Sequence, residues 1–206
     1  LDAQNDGFSY TFHYYFPRPK NDFVLNISSQ NNTIQESNRK LVSKSLNLAS
    51  NTGTGIYGIH SGYLADAISN DKGKFEFSES QITYDNALKN SLKFIIEMNQ
   101  LARESNVSLV LENLFPEIDN KVSIACTLEE INDLVIGLPK DVGLLLDLGH
   151  LNISSNLLNF DRRIFLDKFL DRYGDRLLEV HISENNGLVD EHKGLNYDSW
   201  QIDAIK

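Results

Sequence analysis

Four of the five histidines in this sequence stand where a short apolar segment ends. These four are His13, His60, His150 and His181, and the fifth, His192, lies in the loop after the last such segment. In open α/β sheets and in barrels, ligands bind at the carboxyl ends of the strands. Imidazole is also the commonest metal-ligating side chain. The histidines therefore predict a metal site at one edge of a sheet.

Three carboxylates occupy similar positions. Glu112 ends a run of apolar residues, where a charge is costly unless it is paired or bound to a metal. Asp147 ends another apolar run, three residues before His150. Asp190 and His192 are two residues apart, so they point to the same side of an extended loop. Carboxylate oxygen together with imidazole nitrogen predicts a divalent transition metal such as zinc or manganese.

Four of these residues also have a purely structural interpretation. Glu112 could pair with a buried lysine or arginine, and Asp147 could cap a helix, since Asp is a favoured N-cap. His192 is flanked by charged residues and could be a solvated loop residue. His13 has aromatic neighbours and could belong to the core or to an aromatic stack.

The segments that carry these residues alternate between short apolar stretches and longer amphipathic ones. Strands that alternate with helices indicate βαβ units and a parallel sheet. The predicted strands are Phe8–Phe16, Ile56–Ser61, Ser108–Leu114, Val142–Leu148 and Leu177–Ser183. The predicted helices are Ser37–Asn51, Asp85–Ser105, Thr127–Gly137, Asn159–Arg176 and Tyr197–Lys206. Five strands are fewer than the eight of a closed (β/α)₈ barrel, so the sheet is open or the barrel is incomplete.

Composition limits the partners. The formal net charge of -10 argues against nucleic acid, because a surface that binds phosphates is normally basic. We find no run near the ~18 apolar residues of a membrane helix, and no signal peptide. Cys126 is the only cysteine, which fits a reducing compartment. We therefore expect a cytoplasmic protein that contacts no membrane.

Several short motifs occur in the order and spacing of a known family. This ordered set of motifs resembles that of the xylose isomerase-like TIM barrel superfamily. The superfamily includes sugar phosphate isomerases and epimerases and the apurinic endonuclease IV group. The resemblance covers nearly the whole chain. The segments that carry it are Phe23–Ser28 (similar to LNL(A/G)S), Ile59–Gly62 (HPG or HAG), Leu111–Asn113 ((I/L)EN), Leu146–His150 (DxGH) and His181–Gly187 with Asp190–His192 (HxSDNxG…DxH).

The resemblance implies a single, partial (β/α)₈ TIM barrel domain over residues 1–206, without the family's first strand and last two strands. In the endonuclease IV branch, nine residues hold three zinc ions. Eight of them have counterparts here, namely His13, His60, Glu112, Asp147, His150, His181, Asp190 and His192. The ninth, a glutamate on a later strand, has none. In the epimerase branch one metal is bound, and Glu112, Asp147 and His181 match three of its four ligands.

Three functions follow as hypotheses. The first is a metal-dependent sugar or sugar phosphate isomerase or epimerase with a carbohydrate substrate and one to three zinc or manganese ions. In it, Glu112 would bind metal and transfer a proton next to the polarised carbonyl, and His150 would hold substrate or a second metal. The second is a zinc phosphodiesterase acting on abasic DNA, which the acidic charge opposes. The third is a non-catalytic metal-binding barrel.

Overall fold

The computed structural model of this protein describes residues 9–20, 23–69 and 75–206. Within these ranges the strands are β1 (Phe12–His13), β2 (Ile56–His60), β3 (Ala67–Ser69), β4 (Phe75–Phe77), β5 (Ser108–Glu112), β6 (Gly143–Asp147) and β7 (Leu177–His181). The helices are α1 (Asn32–Thr52), α2 (Tyr84–Glu104), α3 (Leu128–Gly137), α4 (Leu148–Leu157), α5 (Arg162–Tyr173) and α6 (Trp200–Ala204). None of the described helices is both long and apolar enough to cross a membrane.

Five strands form one parallel sheet in the order β1-β2-β5-β6-β7. Helices connect each strand to the next one in the sheet, as the alternating pattern predicts. The strands β3 and β4 form a separate antiparallel pair between β2 and α2, which the sequence pattern did not indicate. The predicted parallel α/β architecture is therefore confirmed.

The sheet is strongly curled, because its two edge strands approach each other. The Thr11 hydroxyl, next to β1, donates a hydrogen bond of 2.6 Å to Glu179 Oε1 on β7. The ring centroids of His13 and His181 lie 4.9 Å apart. A flat sheet would hold β1 and β7 four inter-strand spacings apart, or about 19 Å. The described sheet is thus curved into a half-barrel. Side chains of its two edge strands contact each other across the concave face.

Alternation along the strands decides which side chains face the helices. Leu109 and Leu111 of β5, and Leu144 and Leu146 of β6, pack in the main hydrophobic core with residues of the helices. Since successive side chains of a strand point to opposite faces, Glu112 lies on the other, inner face. When alternate apolar residues of a strand face the helices, its terminal polar residue faces the concave side of the sheet.

The first predicted strand was too long. Residues before Ser9 lie outside the described part of the chain, and β1 covers only Phe12 and His13. Tyr14 has a φ of 49°, in the left-handed region, which ends the extended strand directly after His13. The Tyr14 backbone is held there by the Tyr57 hydroxyl, which donates to its carbonyl at 2.8 Å.

The helix boundaries also differ from the predictions, and one helix was missed. Asn159–Arg176 is not one helix, since α5 begins after its N-cap Asp161 and a 3₁₀ turn, Gly174–Arg176, follows it. The missed helix is α4, which starts directly at the end of β6. Its buried apolar residues Leu148, Leu151 and Ile153 do not all lie on one face of the helix, so they do not form a single stripe. A helix buried on several sides lacks the periodic signal of a surface helix.

Candidate metal centre

Each strand of the parallel sheet ends at a predicted metal ligand. The last residues of β1, β2, β5, β6 and β7 are His13, His60, Glu112, Asp147 and His181. The strand register pairs His60 with Glu112, and Asp147 with His181. Since parallel strands all end at the same edge of a sheet, these five side chains meet at the mouth of the curl.

Glu112 is the centre of this group and is only 1% exposed. Its Oε2 lies 2.6 Å from His13 Nε2 and 3.1 Å from His60 Nε2. Its Oε1 lies 3.4 Å from His150 Nδ1 and 3.5 Å from His181 Nδ1. In the described part of the chain, its ion-pair partners are thus histidines, not the lysine or arginine of the structural alternative.

Two overlapping sets of three residues bring their ligand atoms within 4.8 Å of one another. The first is His13, Glu112 and His181, and the second is Glu112, Asp147 and His150. Glu112 belongs to both sets, so the same buried carboxylate could serve as a ligand at either of two positions for an ion.

Asp147 serves the helix and the site at once. One oxygen, Oδ1, accepts the backbone N–H of His150 at 2.8 Å and so caps α4. The other, Oδ2, lies 3.6 Å from His181 Nδ1. The structural alternative for Asp147 is therefore correct for one oxygen. The cap also fixes the orientation in which the second oxygen faces the centre.

The loop after β7 adds a second group above His150. Asp190 Oδ2 lies 2.7 Å from His192 Nε2 and 3.6 Å from His150 Nε2. Asp190 Oδ1 is buried and has no hydrogen-bond partner among the described residues. The His192 side chain is 69% exposed, so it lies at the rim, as the solvated-loop alternative predicts.

Aromatic residues orient His60. The Tyr14 ring stacks on the imidazole with centroids 3.6 Å apart and 15° between the planes. The Tyr63 hydroxyl lies 2.7 Å from Nδ1, which leaves Nε2 directed at Glu112. Tyr63 lies in the loop three residues after His60, and no spacing rule in the sequence pointed to it.

The carboxylates give the site a strong preference for cations. Burial lowers the pKa of His181, but hydrogen bonds to Asp147 and Glu112 outweigh it and raise the pKa to about 11. Burial likewise lowers the pKa of His150, while Asp190 and Asp147 raise it to about 9. Burial raises the pKa of Glu112, but the surrounding histidines hold it well below its usual range. The carboxylates thus favour the charged forms of His150 and His181, whereas burial lowers the pKa of His60.

All eight predicted ligands line one cavity of about 700 Å³. Its walls also include aromatic rings that the sequence analysis did not single out, Tyr14, Tyr63, Phe77 and Phe115. Phe115 follows β5 and its ring centroid lies 4.8 Å from that of His150. A cavity of this size suits a small molecule. Its floor is polar and ionic, whereas its walls carry apolar rings.

The donor set fits a transition metal. It consists of imidazole nitrogens and carboxylate oxygens, the ligands that zinc and manganese share. One buried carboxylate oxygen of the cluster, Asp190 Oδ1, has no hydrogen-bond partner among the described residues. Buried acceptors normally have a partner, so this unpaired acceptor favours a bound cation.

Gly58 of β2 makes room for His13, and its replacement gives a first testable prediction. A Cβ at Gly58 would lie 2.8 Å from His13 Cδ2 and 2.9 Å from Leu145 Cδ1. Gly58→Ala should therefore cost about 1–3 kcal/mol of the free energy of unfolding, as overpacking does. Urea unfolding of G58A measures it. Gly55→Ala is the matched control, since a Cβ there meets nothing within 4 Å. Equal stability of the two variants would contradict the prediction.

A curled parallel sheet with helical crossovers and polar residues at its strand ends defines a protein of the (β/α) barrel class. Residues 3–202 match the family described as xylose isomerase-like TIM barrel, and the chain belongs to that family. The resemblance drawn from the motifs is thereby confirmed, as is the fold class.

The chain is also similar to individual proteins. It is 26% identical over 209 residues to the uncharacterised protein MJ1614 of Methanocaldococcus jannaschii, covering 99% of this chain and 69% of that one. Its fold resembles a D-tagatose 3-epimerase-like protein, with a TM-score of 0.70, 20% identity, and coverage of 98% and 67%. It also resembles D-psicose 3-epimerase from Clostridium cellulolyticum H10, with a TM-score of 0.63, 16% identity, and coverage of 88% and 55%. The chain thus spans only part of each of these proteins.

Proposed function

We propose that this protein is a metal-dependent sugar isomerase or epimerase. The observation that carries the proposal is the buried Glu112 carboxylate, which lies among four histidines on the floor of a cavity large enough for a sugar. The fold resemblance to a D-tagatose 3-epimerase-like protein and to a D-psicose 3-epimerase supports a carbohydrate substrate.

The metal would be held by Glu112, Asp147 and His181. His13, on the edge strand β1, lies beside Glu112 and across the sheet from His181. Zinc or manganese supplies Lewis-acid chemistry when bound, which polarises a carbonyl and the hydroxyl on the adjacent carbon. Glu112 is ionised, because the histidines hold its pKa low, and it can accept the proton from the carbon next to the carbonyl. Delivery of that proton to the former carbonyl carbon completes an isomerisation. An epimerisation instead requires a second acid that protonates the original carbon from the opposite face.

His150 would hold a substrate oxygen. Its Nδ1 lies 2.8 Å from the Asn113 carbonyl, and its Nε2 faces Asp190 at 3.6 Å. These contacts fix the ring at the cavity wall, next to Phe115. The aromatic rings of the walls would pack on the C–H faces of a sugar and keep water from the reacting carbons.

A zinc phosphodiesterase is the second candidate, and a specific observation favours it. His60, Asp190 and His192 also line the cavity, although the one-metal epimerase set does not include them. With those residues the ligand set resembles the one that holds three zinc ions in the endonuclease IV branch. The net charge of -10 opposes this candidate, since a DNA backbone requires a basic surface. A non-catalytic metal-binding barrel is the third.

Two measurements on the purified protein test the proposal together. Metal analysis should find about one zinc or manganese ion per chain, and incubation with D-tagatose, D-psicose and D-fructose should yield the epimeric sugar. An abasic oligonucleotide serves as the competing substrate. About three zinc ions with strand cleavage would favour the phosphodiesterase. Bound metal without turnover of either substrate class would favour the non-catalytic barrel, and absence of metal after supplementation would overturn the metal site itself.

A further inference from the structure

Glu179 lies beside the proposed metal centre and has no role in the ligand sets described above. It stands two residues before His181 on β7, so the two side chains leave the strand on the same face. Its side chain is 12% exposed. Its Oε1 lies 3.2 Å from His181 Nε2, and its Oε2 is buried with no hydrogen-bond partner among the described residues.

The two nitrogens of the His181 ring therefore face different groups. Nε2 faces Glu179, whereas Nδ1 faces Glu112 Oε1 at 3.5 Å and Asp147 Oδ2 at 3.6 Å. A metal-bound imidazole nitrogen must be deprotonated, and the hydrogen bond of the other nitrogen sets which one that is. The ring can present Nδ1 to a metal only while Nε2 keeps its proton.

We propose that Glu179 is a positioning residue, which accepts a hydrogen bond from His181 Nε2 and so presents Nδ1 to the metal. Carboxylates in this position behind a ligating histidine fix the tautomer and the ring orientation. The proposal rests on the proposed metal site and adds the residue that selects the ligand atom.

Thr11 orients the Glu179 carboxylate in turn. Its hydroxyl donates to the same Oε1 at 2.6 Å, from a position next to β1 at the opposite edge of the sheet. The contact joins residues 168 positions apart in the chain. The Thr11–Glu179 hydrogen bond therefore helps to hold the two edge strands together. Those strands end at His13 and His181, so the contact also helps to fix the distance between these two histidines.

The test is the zinc affinity of E179L, measured by competition with a chromophoric chelator. We expect its Kd for zinc to rise about 10- to 100-fold, the usual effect of removing such a partner. Glu179→Gln keeps an acceptor oxygen and should lose less affinity, and Thr11→Val should lose less than E179L. Glu104→Leu is the control, because Glu104 is an exposed residue at the end of α2, before the start of β5, whereas Glu112 stands at the other end of that strand.

A second measurement separates positioning from a merely structural role. In the zinc-loaded wild-type protein labelled with ¹⁵N-histidine, NMR should show the His181 proton on Nε2 and the zinc on Nδ1. The reverse assignment would overturn the proposal whether or not any variant folds, and so would an unchanged Kd in E179L. A wild-type protein that binds no zinc would overturn the metal site as well. Zinc binding that is equal in wild type and E179L would overturn this inference alone.

Discussion

Zinc or manganese added to the metal-free protein is expected to raise its thermal unfolding temperature by about 8–16 °C at a metal concentration 1,000 times the Kd. Such a ligand stabilises the folded state by about 4 kcal/mol, and one kcal/mol shifts the midpoint of a 150–250-residue protein by about 2–4 °C. The physical reason is that Glu112 and Asp147 are buried carboxylates whose partners in the metal-free state are histidines. An ion held by both carboxylates would supply the positive charge that each of them lacks.

Differential scanning calorimetry after treatment with a chelator measures this shift. Magnesium is the matched control, because it prefers an all-oxygen octahedral shell and binds poorly to a set rich in imidazole. It should shift the midpoint by much less. Equal shifts with magnesium and zinc would show that the ion acts through general screening of the net charge of -10, and the assignment of a nitrogen-containing site would then be wrong.

The substitution Glu112→Gln is expected to remove most of the metal affinity and to lower the epimerase rate by about 10²–10⁴-fold, the usual contribution of a general base. Gln has the same shape but neither charge nor basicity. Glu112 belongs to both ligand sets found among the described residues, so its loss affects both of those positions for an ion. Isothermal titration with zinc and a sugar turnover assay measure the two effects separately.

Glu104→Gln is the matched control for this substitution, since the chemical change is the same on an exposed helix residue. Circular dichroism of E112Q establishes whether the variant is folded before it is assayed. If zinc affinity and turnover both survive in folded E112Q, then Glu112 is neither a metal ligand nor the base. A loss of turnover with full zinc affinity would instead assign Glu112 to proton transfer alone.

Much of the fold could be predicted from sequence because its signals are local. Apolar runs such as Leu144–Leu146 mark strands buried on both faces. A threonine followed three residues later by a glutamate, as at Thr127 and Glu130, is a typical helix start, and Thr127 is the N-cap of α3. The antiparallel pair β3–β4 gave no comparable signal, and α4 lacked a one-sided apolar stripe. Each was missed because its stability comes from neighbours in space instead of from its own pattern.

The sequence by itself determined that the candidate ligands stand at strand ends and which residue types they are. Only the tertiary structure decided which of them meet. The curl of the sheet, a property of all five strands together, brings His13 to His181 and places Thr11 against Glu179. It also makes Glu112 the centre of four histidines, although they are up to 99 residues away in the chain before it and 69 after it. Contacts over such separations depend on strand order and curvature, which no local spacing of residues encodes.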